Sequence, residues 1–183
     1  MSDDPFWKKM NTRQQRPVFL LCLLLLITVC HASSRTPAEA AFERLQRLAG
    51  EWKGIDEHGK QVKSRFELVA SDTAVMETLR TAEMNEDMLT LYSLDVDSIL
   101  LIHYCPTNNQ PRMRAIPQPG PVKQLLFSFM GAGNLPDSAA GHEHKLVIQF
   151  DDQDHITERW TWRRAGTDTE MVFRLSRKSQ MHK

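Results

Sequence analysis

The sequence predicts an all-β domain, a single antiparallel up-and-down barrel of about eight to ten strands preceded by one amphipathic helix. Three observations carry this. From Gly50 onward, apolar and polar residues alternate with a period of two, the pattern of strands with one buried and one solvated face. Turn-forming clusters separate these runs at short intervals. A sheet of so many strands tends to curl, and closing it removes its exposed edges.

The helix comes first. Thr36-Pro37-Ala38-Glu39 offers an N-cap, a proline at the first helical position and a capping-box glutamate. Phe42, Leu45 and Leu48-Ala49 follow at helical spacing, with Glu43, Arg44, Gln46 and Arg47 on the other side. Gly50 is the expected stop. The helix should be about three turns long and cover one end or flank of the sheet.

Strands are expected near 50–57, 62–70, 74–81, 87–95, 98–105, 111–117, 122–130, 145–151, 154–164 and 168–177. Val62, Ser64, Phe66 and Leu68 form one inward face, Leu146, Ile148 and Phe150 another. Ile156, Glu158, Trp160 and Trp162 form a third, Met171, Phe173 and Leu175 a fourth. Met88–Leu94 and Ile99–Tyr104 are apolar on both faces, which predicts a cover outside them, with the helix as the candidate. The long connection Gly131–His144 is rich in Gly, Ala, Asn and Pro and reads as a flap.

Before the domain, residues 1–32 read as a signal peptide or N-terminal membrane anchor. Basic residues precede the run Val18–Cys30, and Ala32 offers a small residue for cleavage, with Cys30 at the −3 position. The run is short for a membrane span, which needs about 20 apolar residues. A lipid on Cys30 would want a small residue where Val29 stands. The expected organisation is leader 1–32, linker 33–37, barrel with its helix 38–178 and tail 179–183. The domain is therefore expected to be periplasmic or secreted, or else anchored by residues 18–30. Without Cys22 and Cys30, Cys105 has no disulfide partner and is expected to be buried.

The 183-residue chain is 41% apolar and 25% charged, with a formal net charge of zero. Removing residues 1–32 leaves 19 basic and 21 acidic residues. Such a domain has no electrostatic footprint for nucleic acid. It also has no polybasic patch for a membrane surface, so membrane contact is expected only through the N-terminal segment. Composition leaves the oligomeric state open.

Glu158 is the anomalous residue, because it shares a face with Ile156, Trp160 and Trp162. A buried carboxyl must be paired, hydrogen-bonded or protonated. Arg112, Arg114 and His103 are the candidate partners. Arg112 and Arg114 share one strand face. If that face is interior, they suit an anionic head group; if exterior, they are solvated surface. His103 and Cys105 also share a face, but residues two apart on a strand sit roughly 7 Å apart, too far for an activated thiol pair. His142-Glu143-His144, with His155 or His103, offers an incomplete zinc set. One histidine would suffice for haem, but several are eligible. No Walker loop, G-x-S-x-G, H-E-x-x-H or C-x-x-C is present. No catalytic residue, metal or cofactor is assigned.

Leu48-Ala49-Gly50-Glu51-Trp52-Lys53-Gly54 resembles the first-strand signature of calycin-type barrels, in which the tryptophan plugs one end. Tyr92, His103-Tyr104-Cys105 and Asn109-Gln110-Pro111-Arg112-Met113 more specifically resemble an uncharacterised bacterial family of lipocalin-like domains. Asp152–His155 and Trp160-Thr161 match that family too. The resemblance spans about Phe42 to Arg177 and implies a barrel of known shape but no established activity. Similar barrels include fatty-acid binding proteins and the haem-binding nitrobindins.

The function expected is the lumenal binding of a small apolar or amphipathic ligand. Trp160, Trp162, Phe127 and Phe129 would shape the cavity; His103, Arg112 and Glu158 would supply polar contacts. Two other readings stay open: an enzyme using lumenal histidine and glutamate as acid and base, and a packed barrel serving as an interaction module.

Overall fold

The computed structural model describes residues 35–84 and 86–179. Among them are one helix, α1 (Pro37–Gln46), and ten strands: β1 (Gly50–Ile55), β2 (Gln61–Val69), β3 (Ala74–Thr81), β4 (Met88–Asp95), β5 (Ser98–Tyr104), β6 (Gln110–Ala115), β7 (Gln124–Gly133), β8 (His142–Phe150), β9 (His155–Arg164) and β10 (Thr167–Arg177). Each strand pairs antiparallel with the next in sequence. β1 also pairs with β10, which closes the barrel. All ten expected strands form. The leader, Cys22 and Cys30 lie outside the described residues.

Two boundaries differ. β7 runs to Gly133 and β8 starts at His142, so the expected flap shrinks to 134–141. His142-Glu143-His144 belongs to β8 and pairs with β9 through His142↔Arg163 and Glu143↔Trp162. Loop-like composition hid three residues that the neighbouring strand holds in place. The helix also ends earlier than expected. Arg47 is its C-cap, and Leu48 and Ala49 turn into β1 through backbone bonds to Leu45 and Gln46. Gly50 opens the strand at φ 132°, a conformation glycine permits.

The helix start is as expected. Thr36 Oγ1 accepts from the Glu39 amide, and the Glu39 carboxylate accepts from the Thr36 amide. Ala38, Ala41, Phe42 and Leu45 are buried. α1 closes one end of the barrel: Gln46 Nε2 donates to Asp72 O in the β2–β3 turn at 2.9 Å, and Arg44 donates to Asp152 O in the β8–β9 turn at 2.8 Å. It does not cover the outer face of β4 and β5. There Leu89 and Tyr104, a cross-strand pair, are 36% and 43% exposed. Among the described residues, the doubly apolar strands therefore lack the outer cover expected from the helix.

At the closed end Trp52 is fully buried, and its Nε1 donates to Leu48 O at 2.8 Å. The Arg177 guanidinium lies 4.4 Å over the Trp52 ring. It donates to the carbonyls of Arg47 (2.8 Å) and Ala49 (2.9 Å). One arginine thus joins the last strand to the helix end and the first strand. β1 also approaches β10 very closely at Gly54, where a Cβ would stand 1.8 Å from the carbonyl oxygen of Arg174. No side chain fits there, so the barrel closes on a glycine.

Candidate functional site

A cavity of about 420 Å³ opens at the end of the barrel away from α1. His103 and Trp160 form its floor with Leu79 and Phe173. Glu143, Trp162, Met88 and Met171 stand on its walls, and Asp56, Glu57 and Cys105 at its mouth. Strand alternation explains the set. Leu79, His103 and Trp160 continue inward faces whose lower members are the packed residues Val75, Leu101 and Ile156.

His103 is 2% exposed. Its Nδ1 lies 2.9 Å from Oγ1 of Thr90, its cross-strand neighbour. Its ring packs on Trp160 with centroids 4.7 Å apart. Nε2 is buried and has no partner. Burial disfavours the charged form and pulls the imidazole pKa down to about 4. The ring is neutral at physiological pH, and Nε2 is one unpaired hydrogen-bonding atom within an otherwise apolar floor.

Glu143 is the second polar group on the cavity. It is 4% exposed, and its Oε2 has no partner. Burial pushes its pKa up to about 8. Across the strand pair stands Trp162. The 134–141 connection lies directly on the Trp162 ring: a Cβ on Gly141 would stand 2.2 Å from it. Asn109 Nδ2 holds that backbone by donating to Gly141 O at 2.9 Å.

Beneath the floor the barrel is packed. Glu77 and Glu158 are both fully buried there. Ser64 donates to Glu77 at 2.7 Å and Tyr92 donates to its other oxygen at 3.0 Å. Trp160 Nε1 donates to Glu158 Oε2 at 3.1 Å. Glu158 Oε1 has no donor. Burial first, and the neighbouring Glu77 charge second, push the Glu158 pKa well above the ordinary carboxyl value. Burial raises Glu77 as well, against the donors that favour its charge. A proton on Glu158, directed at the Glu77 carboxylate, satisfies the orphaned oxygen and removes the repulsion.

The structure divides the expected site residues. His103, Trp160 and Trp162 line the cavity. Glu158 and Phe127 are buried below it, Phe127 against Tyr92 with centroids 5.6 Å apart. Phe129 packs instead on His142 and His144, at 4.6 and 4.9 Å, and borders a shallow groove with Arg163 and Asp168. Arg112 is exposed: Pro111, Met113 and Ala115 take the inward positions of β6, which turns both arginines outward. Arg114 pairs with Asp95 at 2.7 Å. Neither arginine reaches Glu158, whose partner is Glu77.

Glu77 and Glu143 were missed. The alternation Val75, Glu77, Leu79 carried the same signal that exposed Glu158. Glu143 had none while its segment read as a loop. His103 and Glu158 both contact Trp160, but no hydrogen bond joins them, and Glu158 does not reach the cavity. Among the described residues no three His, Cys, Asp or Glu side chains gather to hold a metal ion. His142 Nε2 lies 3.2 Å from His144 Nδ1, and His144 lies 2.6 Å from Arg163. His155 instead pairs with Asp152 in the β8–β9 turn, beside α1. Cys105 is half-buried at the mouth rather than buried.

No protein-family model matches the chain. No curated protein matches it either. Among solved structures it is similar to the crystal structure of Rv2717c from M. tuberculosis, with a TM-score of 0.54 and 13% identity. The likeness covers 76% of this chain and 98% of that one. At that identity it shows the fold, a closed antiparallel barrel.

Proposed function

We propose that the chain is a binding barrel that takes a small amphipathic molecule through its open end. One observation carries this reading: the upper barrel holds a cavity of about 420 Å³ whose lining includes two buried side chains that each carry an unpartnered polar atom, His103 (Nε2) and Glu143 (Oε2). Ligand pockets are mostly apolar with a few placed polar groups, and unpaired buried atoms favour a ligand that pairs them. Trp160, Trp162, Phe173, Leu79 and three methionines supply the apolar surface. Arg112, Phe127, Phe129 and Glu158 have no ligand contact in this reading.

The packed lower half is the support of the site. Its packed layer holds the floor at a fixed depth, so a ligand is limited to the upper barrel. The resemblance to lipocalin-like domains through the His103–Cys105 and Asn109–Met113 stretches fits this role. With it goes the reading of residues 1–32 as an export signal, which puts the barrel in the periplasm or outside the cell. N-terminal sequencing of the mature protein tests cleavage after Ala32.

The binding reading is tested by titrating the full chain with apolar and amphipathic probes while following tryptophan fluorescence. Trp160 and Trp162 should respond, and a bulky residue at the floor (Leu79→Trp) should weaken binding at least tenfold. Absence of any saturable response sinks the proposal.

A further inference from the structure

The formally charged side chains that line the cavity are acidic, with Lys60 standing outside the lining against Glu83. Asp56, Glu57, Glu83 and Glu143 are among the described residues lining the cavity, and neither lysine nor arginine is. The rim carboxylates are partly engaged. Asp56 accepts from the amides of His58 and Lys60 at 2.9 and 2.8 Å, Glu57 accepts from Val172 N at 2.9 Å, and Glu83 pairs with Lys60. Glu143 is different. It lies inside the mouth, 4% exposed, opposite the Trp162 ring, with Oε2 unpartnered.

An anionic head group has no counter-charge in such a site, and its own charge would be desolvated beside carboxylates. A cation gains on three counts. It pairs with Glu143, it faces the negative π-surface of Trp162, and the acidic rim draws it in. The apolar depth between Trp160, Met88 and Phe173 suits a hydrocarbon body.

We infer that the lumen selects amphipathic organic cations, an ammonium group beside Glu143 and Trp162 with its apolar body directed toward the His103–Trp160 floor. This rests on the binding reading above and names its ligand class. It replaces the carboxylate-binding site that Arg112 and Arg114 suggested in the sequence, since both point out of the barrel.

Burial holds the Glu143 carboxyl at about pKa 8. Binding a permanent cation expels that proton to solvent, and the carboxylate is left as counter-ion. Below that value the ionised fraction falls about tenfold per pH unit, and affinity falls with it. The titratable groups sharing the cavity with Glu143 are Asp56, Glu57 and His58 from the β1–β2 turn, Glu83 beyond β3, and His103 and Cys105 from β5.

Three probes of equal chain length decide it: decyltrimethylammonium, decanol and decanoate, each below its micellar concentration and titrated into the full chain by calorimetry. The ammonium probe should bind at least tenfold tighter than decanol at pH 8, and decanoate more weakly than either. The ammonium-to-decanol affinity ratio should rise about tenfold between pH 6 and 7, with proton release on binding. E143Q should abolish the ratio by bringing ammonium binding down to that of decanol; if that variant does not fold, the pH dependence of the unmutated chain stands as the test. Decanol binding with no cation preference, or decanoate binding as tightly as the ammonium, overturns the inference and leaves the binding barrel intact. If none of the three binds, both fall.

Discussion

Glu77 on β3 and Glu158 on β9 form a fully buried carboxyl pair in the barrel interior, where burial raises the pKa of both. Both hold protons more tightly than they would in the unfolded chain. The folded state therefore binds more protons than the unfolded state above the ordinary carboxyl value. The stability they contribute is fully present below that value and is lost as pH rises through the raised folded values. Glu158→Gln supplies a neutral amide that can donate to Glu77 and accept from Trp160. It should be near neutral at about pH 5 and stabilise by ~1–3 kcal/mol at about pH 8.5. Urea unfolding at the two pH values measures this. Equal destabilisation at both would remove the shared-proton account.

Glu77 has the opposite expectation. It accepts from Ser64 and Tyr92. Glu77→Ala leaves both hydroxyls buried without an acceptor and opens a void, which should cost ~3–5 kcal/mol. Denaturant unfolding beside the Glu158→Gln variant separates the two roles, and a Glu77→Ala loss below ~1 kcal/mol would count against a satisfied network.

His103 acts on the acid side. Its folded pKa of about 4 lies below the ordinary 6.5. Its contribution is present above the ordinary value and is lost as pH falls from there toward about 4, up to roughly 3 kcal/mol. His103→Gln should flatten the acid limb of the stability profile and leave the alkaline limb unchanged. A histidine NMR signal titrating with a midpoint between about pH 6 and 7 and assigned to His103 would contradict this.

Gly141→Ala should displace Trp162, because the added Cβ would meet its ring at 2.2 Å. The expected cost is ~1–3 kcal/mol of overpacking, with a shift in tryptophan emission and weaker probe binding. Unchanged emission would mean that the 134–141 connection does not rest on the ring.

Arg177→Lys keeps the charge but loses the planar fork that reaches the Arg47 and Ala49 carbonyls. A loss of ~1–3 kcal/mol is expected, visible in thermal unfolding. A neutral result would reduce Arg177 to a surface residue.

The sequence by itself determined the ten strands, the capped helix and the inward face of β9, because period-two alternation and capping chemistry are local. It also marked Glu158 as a carboxyl on an apolar face, and Trp160 and Trp162 as lumenal. Only the tertiary structure decided what Glu158 meets. Its partner Glu77 comes from a strand about 80 residues earlier in the sequence, and barrel closure alone makes them neighbours. The same closure turned Arg112 outward, since Pro111, Met113 and Ala115 fill the inward positions of β6. It also drew His142–His144 into β8, because pairing with β9 overrode a composition that reads as loop. Alternation identifies a face, but whether that face lies against packed core or open cavity depends on what arrives from across the barrel.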